Sequence, residues 1–302
     1  MLTQAEIREK VTQQIIEALR SGAVPFWRQP WSGSKQAGYP ANAISGKTYR
    51  GVNSLLLSLK GYESRWFATY NQWQTVGGQV RRGEKGTQII LYKPVTTKKV
   101  NDDGEEEIRS FPLLKTWTVF NISQVDGNLD QFRVSAHNTE PRFVDYAPAE
   151  EVFAATQADI RYEGGRAFYS PEFDFIQMPP KAAFEKAHEF YGVLAHELTH
   201  WTGAKHRLNR LNKFARFGSE SYAVEELVAE IGSAFLLAEL GIPQSDDLSN
   251  VTAYLAHWLT VLERDHTAIF TASSAASKAV DLILSFSRPQ EPAETEEMAE
   301  AA

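Results

Sequence analysis

Two histidines four residues apart, with a glutamate directly after the first, constrain this chain more than any other feature. They stand in the run V-L-A-H-E-L-T-H-W-T-G-A-K-H-R-L at residues 193–208, and its core runs from His196 to His200. Residues four apart share one face of a helix, so both imidazoles can face one cation. Glu197 projects beside them, placed to take a proton from a metal-bound water. This is the zinc-hydrolase arrangement H-E-x-x-H. Phe184, Ala187, Tyr191, Leu194, Ala195 and Leu198 form an apolar helical stripe leading into the motif. Gly192 lies one turn before His196 and Gly203 just past the helix, so the backbone can approach closely at both.

The third ligand has two candidates. His196, Glu197, His200, Gly203 and His206 fit every fixed position of H-E-x-x-H-x-x-G-x-x-H, in which a glycine turns the chain to bring in a third histidine. That pattern also needs a methionine turn below the metal, and the only methionines are Met1, Met178 and Met298. The other candidate is Glu226, on the helix S-Y-A-V-E-E-L-V-A-E-I-G-S-A-F-L-L. Glu230, one turn on, is then placed to accept a hydrogen bond from a ligand histidine and fix its tautomer. The E-x-x-A-E spacing favours Glu226. Glu225, Glu226 and Glu230 could instead form a solvated face, but Val224, Leu227, Val228, Ile231 and Phe235 put Glu226 and Glu230 near the buried side. Tyr222 and His257 are candidates for stabilising an oxyanion.

There is no Cys, so metal ligands must be His and carboxylate, and disulfides are excluded. Zinc is the expected metal; manganese and cobalt suit the same donors. The lack of Cys fits a cytoplasmic location. No apolar run is long enough to span a membrane, and the first residues lack a signal-peptide core. The net charge of −7 hides a division. Residues 1–100 carry fifteen Lys and Arg against five Asp and Glu, a balance of +10; residues 141–302 carry thirteen against twenty-five, a balance of −12. Trp27, Trp31, Trp66, Trp73 and Trp117 all lie in the first 120 residues. Two domains with different partners are expected.

Along the first half, residues 3–20 read as an amphipathic helix with Thr3 and Glu6 as a capping box. Phe26, Trp27 and Trp31 anchor a Pro- and Gly-rich loop. A short helix covers 54–59, and Thr69 caps another through Val76. Residues 79–93 read as a strand, a basic turn and a second strand, 95–110 as a hairpin with an acidic tip, and 111–121 as a further strand. Past 148, a helix at 149–156 precedes short strands at 160–162, 167–170 and 173–179, the last stopped by Pro179-Pro180. Helices follow at 251–264 and 275–286. The expected class is α+β: an N-terminal α+β domain (1–125), a linker (126–147), a mainly helical domain (148–287) and a disordered acidic tail (288–302).

Exposed rings interleaved with cations suit single-stranded nucleic acid, since bases stack on rings and cations follow phosphates. Tyr49, Arg50, Trp66, Trp73, Arg81, Arg82 and Lys85 are the candidates. The competing reading makes these aromatics core residues and R-R-G-E-K-G a solvated turn.

Several runs together resemble the ArdC-type antirestriction proteins of conjugative plasmids. In the first half they are Y-R-G-V-N, R-W-F-A-T-Y-N-Q-W and G-G-Q-V-R-R-G-E-K-G-T-Q-I-I-L-Y-K. In the second they are F-I-Q-M-P, H-E-L-T-H-W-T-G, R-L-N-R and Y-A-V-E-E-L-V-A-E. The resemblance implies an N-terminal single-stranded-DNA-binding domain, a C-terminal zincin metallopeptidase-like domain and a bacterial, plasmid-encoded protein that protects incoming DNA from restriction. The family pattern does not require a histidine at 206, which again favours Glu226. Two functions compete: a metal-dependent peptidase with an unidentified protein substrate, or a non-catalytic protein that coats single strands and keeps a structural metal. A DNA mimic that blocks restriction enzymes by negative charge is opposed by the +10 balance of residues 1–100.

Overall fold

The computed structural model describes residues 3–20, 40–62, 64–100, 106–132, 145–184, 186–211, 220–244 and 249–288. The aromatic loop with Phe26, Trp27 and Trp31, the acidic hairpin tip at 101–105, most of the expected linker (133–144) and the tail from 289 lie outside the described residues.

Helix α1 (Gln4–Arg20) starts at the expected capping box. The Glu6 N–H donates to Thr3 Oγ1 at 3.2 Å, and the Thr3 N–H donates to the Glu6 carboxylate at 2.6 Å. Its stripe of Ile7, Val11, Ile15, Ile16 and Leu19 is buried. Each such side chain contributes roughly 1.5–3 kcal/mol when fully buried, so tertiary packing rather than local propensity holds the helix.

The first half continues with β1 (Ala41–Asn42), α2 (Val52–Ser58), β2 (Trp66–Ala68), α3 (Tyr70–Thr75), β3 (Gln79–Val80), β4 (Thr87–Val100), β5 (Glu106–Asn121) and β6 (Val125–Asp126). A four-stranded sheet has the order β1-β2-β5-β4. Strands β4 and β5 form one long hairpin, in register from Thr87 opposite Val119 to Val100 opposite Glu106. The expected separate strand at 111–121 is therefore the return arm of the hairpin expected at 95–110. The strands on either side of the basic turn both form, but in different sheets: β3 pairs with β6, Gln79 opposite Asp126. The turn at 81–86 thus crosses between sheets.

The second half has α4 (Ala147–Ala155), then β7 (Asp159–Tyr162), β8 (Phe168–Ser170) and β9 (Phe175–Met178) in the order β7-β9-β8. Alternation along β9 buries Ile176 and Met178 on one face. Helices α5 (Ala187–Trp201), α6 (Glu220–Glu239), α7 (Ser249–Arg264) and α8 (Ala268–Ser285) follow. The α+β class, with a mainly helical second part, is as expected. One apolar core joins α1 and α2 to the C-terminal helices. Polar contacts reinforce it: Thr12 Oγ1 donates to the His266 carbonyl at 2.7 Å, and the Gly51 N–H to Ser277 Oγ at 2.9 Å. Among the described residues no helix is long and apolar enough to cross a membrane.

Candidate metal centre

Helix α5 carries the motif. It begins at Ala187, past Phe184, and buries Phe190, Tyr191, Leu194, Ala195, Leu198 and Trp201. That burial turns His196 and His200 toward α6, and their Nε2 atoms lie 3.2 Å apart. The approach of the two helices depends on Gly232. A Cβ there would meet Thr199 Cγ2 at 2.6 Å and Oγ1 at 3.0 Å, and Thr199 is fully buried. Gly232→Ala is expected to cost about 1–3 kcal/mol in thermal or urea unfolding through overpacking. Adding Thr199→Ala, which removes the opposing atoms, should recover part of it. No loss in the single variant would mean the helices part freely. Gly192 has no such role, because its nearest neighbour for a Cβ is Leu237 at an ordinary 3.7 Å.

Glu226 reaches both imidazoles from α6. Its carboxylate lies 3.5 Å from His196 Nε2 and 3.6 Å from His200 Nε2. One ligand atom from each of the three residues falls within 4.8 Å of the other two. Glu225, Glu226 and Glu230 are all buried, so they do not form a solvated face. Glu197 follows His196 on α5 and is 8% exposed.

Burial alone opposes a charged His196, but its hydrogen bond to Glu226 and the charges of Glu197, Glu226 and Glu230 outweigh that and push its pKa up to about 9. Burial likewise works to raise Glu226; the His196 hydrogen bond, both imidazoles and Tyr222 hold its carboxyl at about 2 instead. The electrostatics of the pocket therefore favour positive charge where the three side chains meet. Two imidazoles and a carboxylate form a donor set that suits zinc, manganese or cobalt.

The other candidates near the site fall into place by geometry. His206 is 62% exposed in its side chain and lies 3.2 Å from Asp174, so it is not gathered with the two motif histidines. Gly203 does not turn the chain toward His206. Instead it leaves room for the returning chain: a Cβ there would meet Leu211 at 2.9 Å and Arg210 Nη2 at 3.1 Å. Glu230 stands 4.0 Å from His196 Nδ1, beyond hydrogen-bond range. The outer carboxylate on a ring nitrogen is Glu225, whose Oε1 is 3.1 Å from His200 Nδ1. Sequence reasoning set Glu225 aside; its buried neighbours on α6 were the signal available. Tyr222 faces Glu226, and burial first, then Tyr254 and Glu226, raise its hydroxyl far above the ordinary range. His257 is exposed on α7.

The nucleic-acid candidates separate sharply. Trp73 is wholly buried and its Nε1–H donates to the Phe120 carbonyl at 2.9 Å, so it is a core residue and not a stacking platform. Tyr49 packs against the Leu57, Phe67 and Val119 cluster, 3.2 Å from the Asn42 amide, and burial pushes its pKa up to about 12. Arg50 pairs with Asp281 of α8 and donates to the Ser277 carbonyl at 3.2 Å, so it joins the two halves. Trp66 is half-buried, edge-on to Phe132 at 5.7 Å. Arg81 is held by Glu84 at 2.7 Å and Asp126 at 3.3 Å. Arg82 and Lys85 are exposed. Beside them an open cavity of about 560 Å³ is lined by Tyr70, Gln79, Arg81, Arg82 and Phe120, among others. The sequence reading missed the exposed Trp117, with Lys115 Nζ over its ring at 4.9 Å.

Comparison with known proteins follows the same two-part division. Residues 5–120 match the N-terminal domain of anti-restriction factor ArdC, and residues 147–275 match the zincin-like metallopeptidase family. An uncharacterised protein of Sinorhizobium fredii, y4eC, is 38% identical over 92% of both chains. The DNA primase TraC of Escherichia coli is 36% identical over 96% of this chain, which spans only 28% of that protein. Among solved structures, the metal-free antirestriction protein ArdC of plasmid R388 is 40% identical, with a TM-score of 0.78 over 93% of this chain and 98% of that one. Its Mn(II)-bound structure is 38% identical, with a TM-score of 0.73 over 94% and 99%.

Proposed function

We propose a function from one premise: the chain belongs to the ArdC antirestriction family. On that premise it binds single-stranded DNA through its N-terminal half and carries a divalent-metal peptidase site in its C-terminal half. Acting in the bacterial cytoplasm, it protects incoming conjugative plasmid DNA from host restriction. The observation that carries the peptidase reading is the meeting of His196, His200 and Glu226 within 4.8 Å, from two helices, beside the buried Glu197.

His196, His200 and Glu226 would hold the cation, zinc being the first choice and manganese or cobalt the alternatives. A cation there would polarise a scissile carbonyl and acidify a water. Glu197, buried directly after His196, would serve as general base toward such a water and as general acid toward the departing amine. The Tyr222 hydroxyl, which bonds Glu226 and lies 3.5 Å from the Tyr254 hydroxyl, would have to turn from that carboxylate to donate to a developing oxyanion. Incubating candidate proteins with the purified chain and Zn²⁺, with and without single-stranded DNA and a chelator, tests this reading. Chelator-sensitive cleavage is expected, and cleavage that survives the chelator would reject it.

The DNA reading is supported by the +10 balance of residues 1–100 and by the exposed Tyr70, Arg82, Lys85 and Trp117. Replacing Arg82 and Lys85 with alanine is expected to weaken single-strand binding in a gel shift. It should also flatten the slope of log affinity against log salt by about 0.7 for each phosphate no longer neutralised. An unchanged slope would move the interface to another face.

A further inference from the structure

We infer that Arg210 and Glu225 are positioning residues that fix the His200 ring, with Nδ1–H donated to Glu225 and Nε2 left facing Glu226 and His196. The inference rests on the metal site proposed above. Two distances define the ring. Glu225 Oε1 lies 3.1 Å from His200 Nδ1, while His200 Nε2 is 3.6 Å from Glu226 and 3.2 Å from His196 Nε2. An acceptor-only carboxylate on Nδ1 requires the proton on that nitrogen and leaves the Nε2 lone pair for a cation.

Glu225 needs an orienting partner of its own, because its side chain is only 4% exposed and can rotate about several bonds. Arg210 supplies it. Its Nε donates to Glu225 Oε2 at 2.7 Å and its Nη2 to Oε1 at 2.9 Å, a two-pronged contact that sets the carboxylate plane. The same guanidinium donates to the Thr199 carbonyl at 2.7 Å and to Thr202 Oγ1 at 3.2 Å. Arg210 therefore ties the end of α5, which carries His200, to the start of α6, which carries Glu225 and Glu226. Gly203 makes the approach possible, as its neighbours show, and the Arg210 N–H donates to the Gly203 carbonyl at 2.8 Å. A lysine has the charge but not the planar fork, so it can serve only in part. The two arginines of R-L-N-R thus have separate tasks. Arg207 lies over the Trp201 ring at 3.8 Å and binds Asp174, pinning the helix end to the small sheet.

Two measurements test the inference. Long-range ¹H–¹⁵N spectra of the metal-free full chain should show a proton on His200 Nδ1; a proton on Nε2 alone overturns it. Competition with a chromogenic chelator should show Zn²⁺ affinity falling about 10–100-fold in Arg210→Met and in Glu225→Ala, with partial recovery in Arg210→Lys. Affinity within twofold of the wild type in folded Arg210→Met overturns it too. If Arg210→Met does not fold, Arg210→Lys and the wild-type tautomer still decide. Failure of the wild type to bind Zn²⁺ or Mn²⁺ would reject the metal reading itself, which the metal-free spectrum distinguishes from failure of the positioning pair.

Discussion

Glu197→Gln is expected to keep metal and single-stranded DNA binding within about twofold and to lower cleavage by roughly 10²–10⁴-fold, the usual contribution of a general acid–base group. That corresponds to about 2.7–5.5 kcal/mol of barrier. Glutamine matches the volume and shape of the glutamate it replaces, so position 197, only 8% exposed, keeps its packing. It cannot accept a proton. Glu197 also contributes negative charge to the field at His196, so some loss of metal affinity accompanies the change. That loss is small because Glu226 stays in place, its carboxylate 3.5–3.6 Å from both imidazoles. A single-turnover cleavage assay at saturating Zn²⁺ separates the two effects. Cleavage retained at the wild-type rate would remove Glu197 from the mechanism. Full protection of plasmid transfer by the Gln variant, with cleavage gone, would instead support a protein that guards DNA by coating it.

How far the sequence could be read depended on the range of the interaction. The capping boxes at Thr3/Glu6 and Thr69/Gln72 are local, so the helices beginning there were legible from a few residues. Helical spacing likewise put His196 and His200 on one face, and E-x-x-A-E singled out Glu226. Pairing across long intervals left no such mark. Nothing in Q-V-R-R-G-E-K-G says that Gln79 pairs with Asp126 and not with the strand that follows the turn. Trp73 failed for a related reason. A tryptophan among polar and basic residues reads as a stacking platform, yet it fills the space between α3 and β5, and only the tertiary structure shows this. The pairing of Arg50 with Asp281, 231 positions away in the chain, left no mark in the sequence either. Arg210 and Glu225 form a contact of intermediate range, with the segment 212–219 between them, and R-L-N-R carried no chemical signature of it.

Glu226→Ala should abolish most metal binding, with Zn²⁺ affinity falling by more than ~100-fold, past the range expected for an orienting partner. The argument is the donor count: two imidazoles and one carboxylate converge, and alanine removes the only carboxylate that, among the described residues, lies within 3.6 Å of both rings. Linkage turns this into a stability readout. With metal at about 1,000 times its dissociation constant, the wild type gains about 4.1 kcal/mol on binding; a 100-fold weaker site under the same conditions gains only about 1.4 kcal/mol. The thermal midpoint of the wild type should therefore rise by several degrees more on metal addition than that of Glu226→Ala, at roughly 2–4 °C per kcal/mol for a chain of this size class. His206→Ala is the matched control. Its ring is 62% exposed and engaged with Asp174, so its loss should leave metal affinity within about twofold. The opposite pair of results, metal lost in His206→Ala and kept in Glu226→Ala, would restore the reading in which Gly203 delivers a third histidine. It would require the segment after α5 to leave Asp174, releasing the hydrogen bonds that Arg207 and Arg210 make along it.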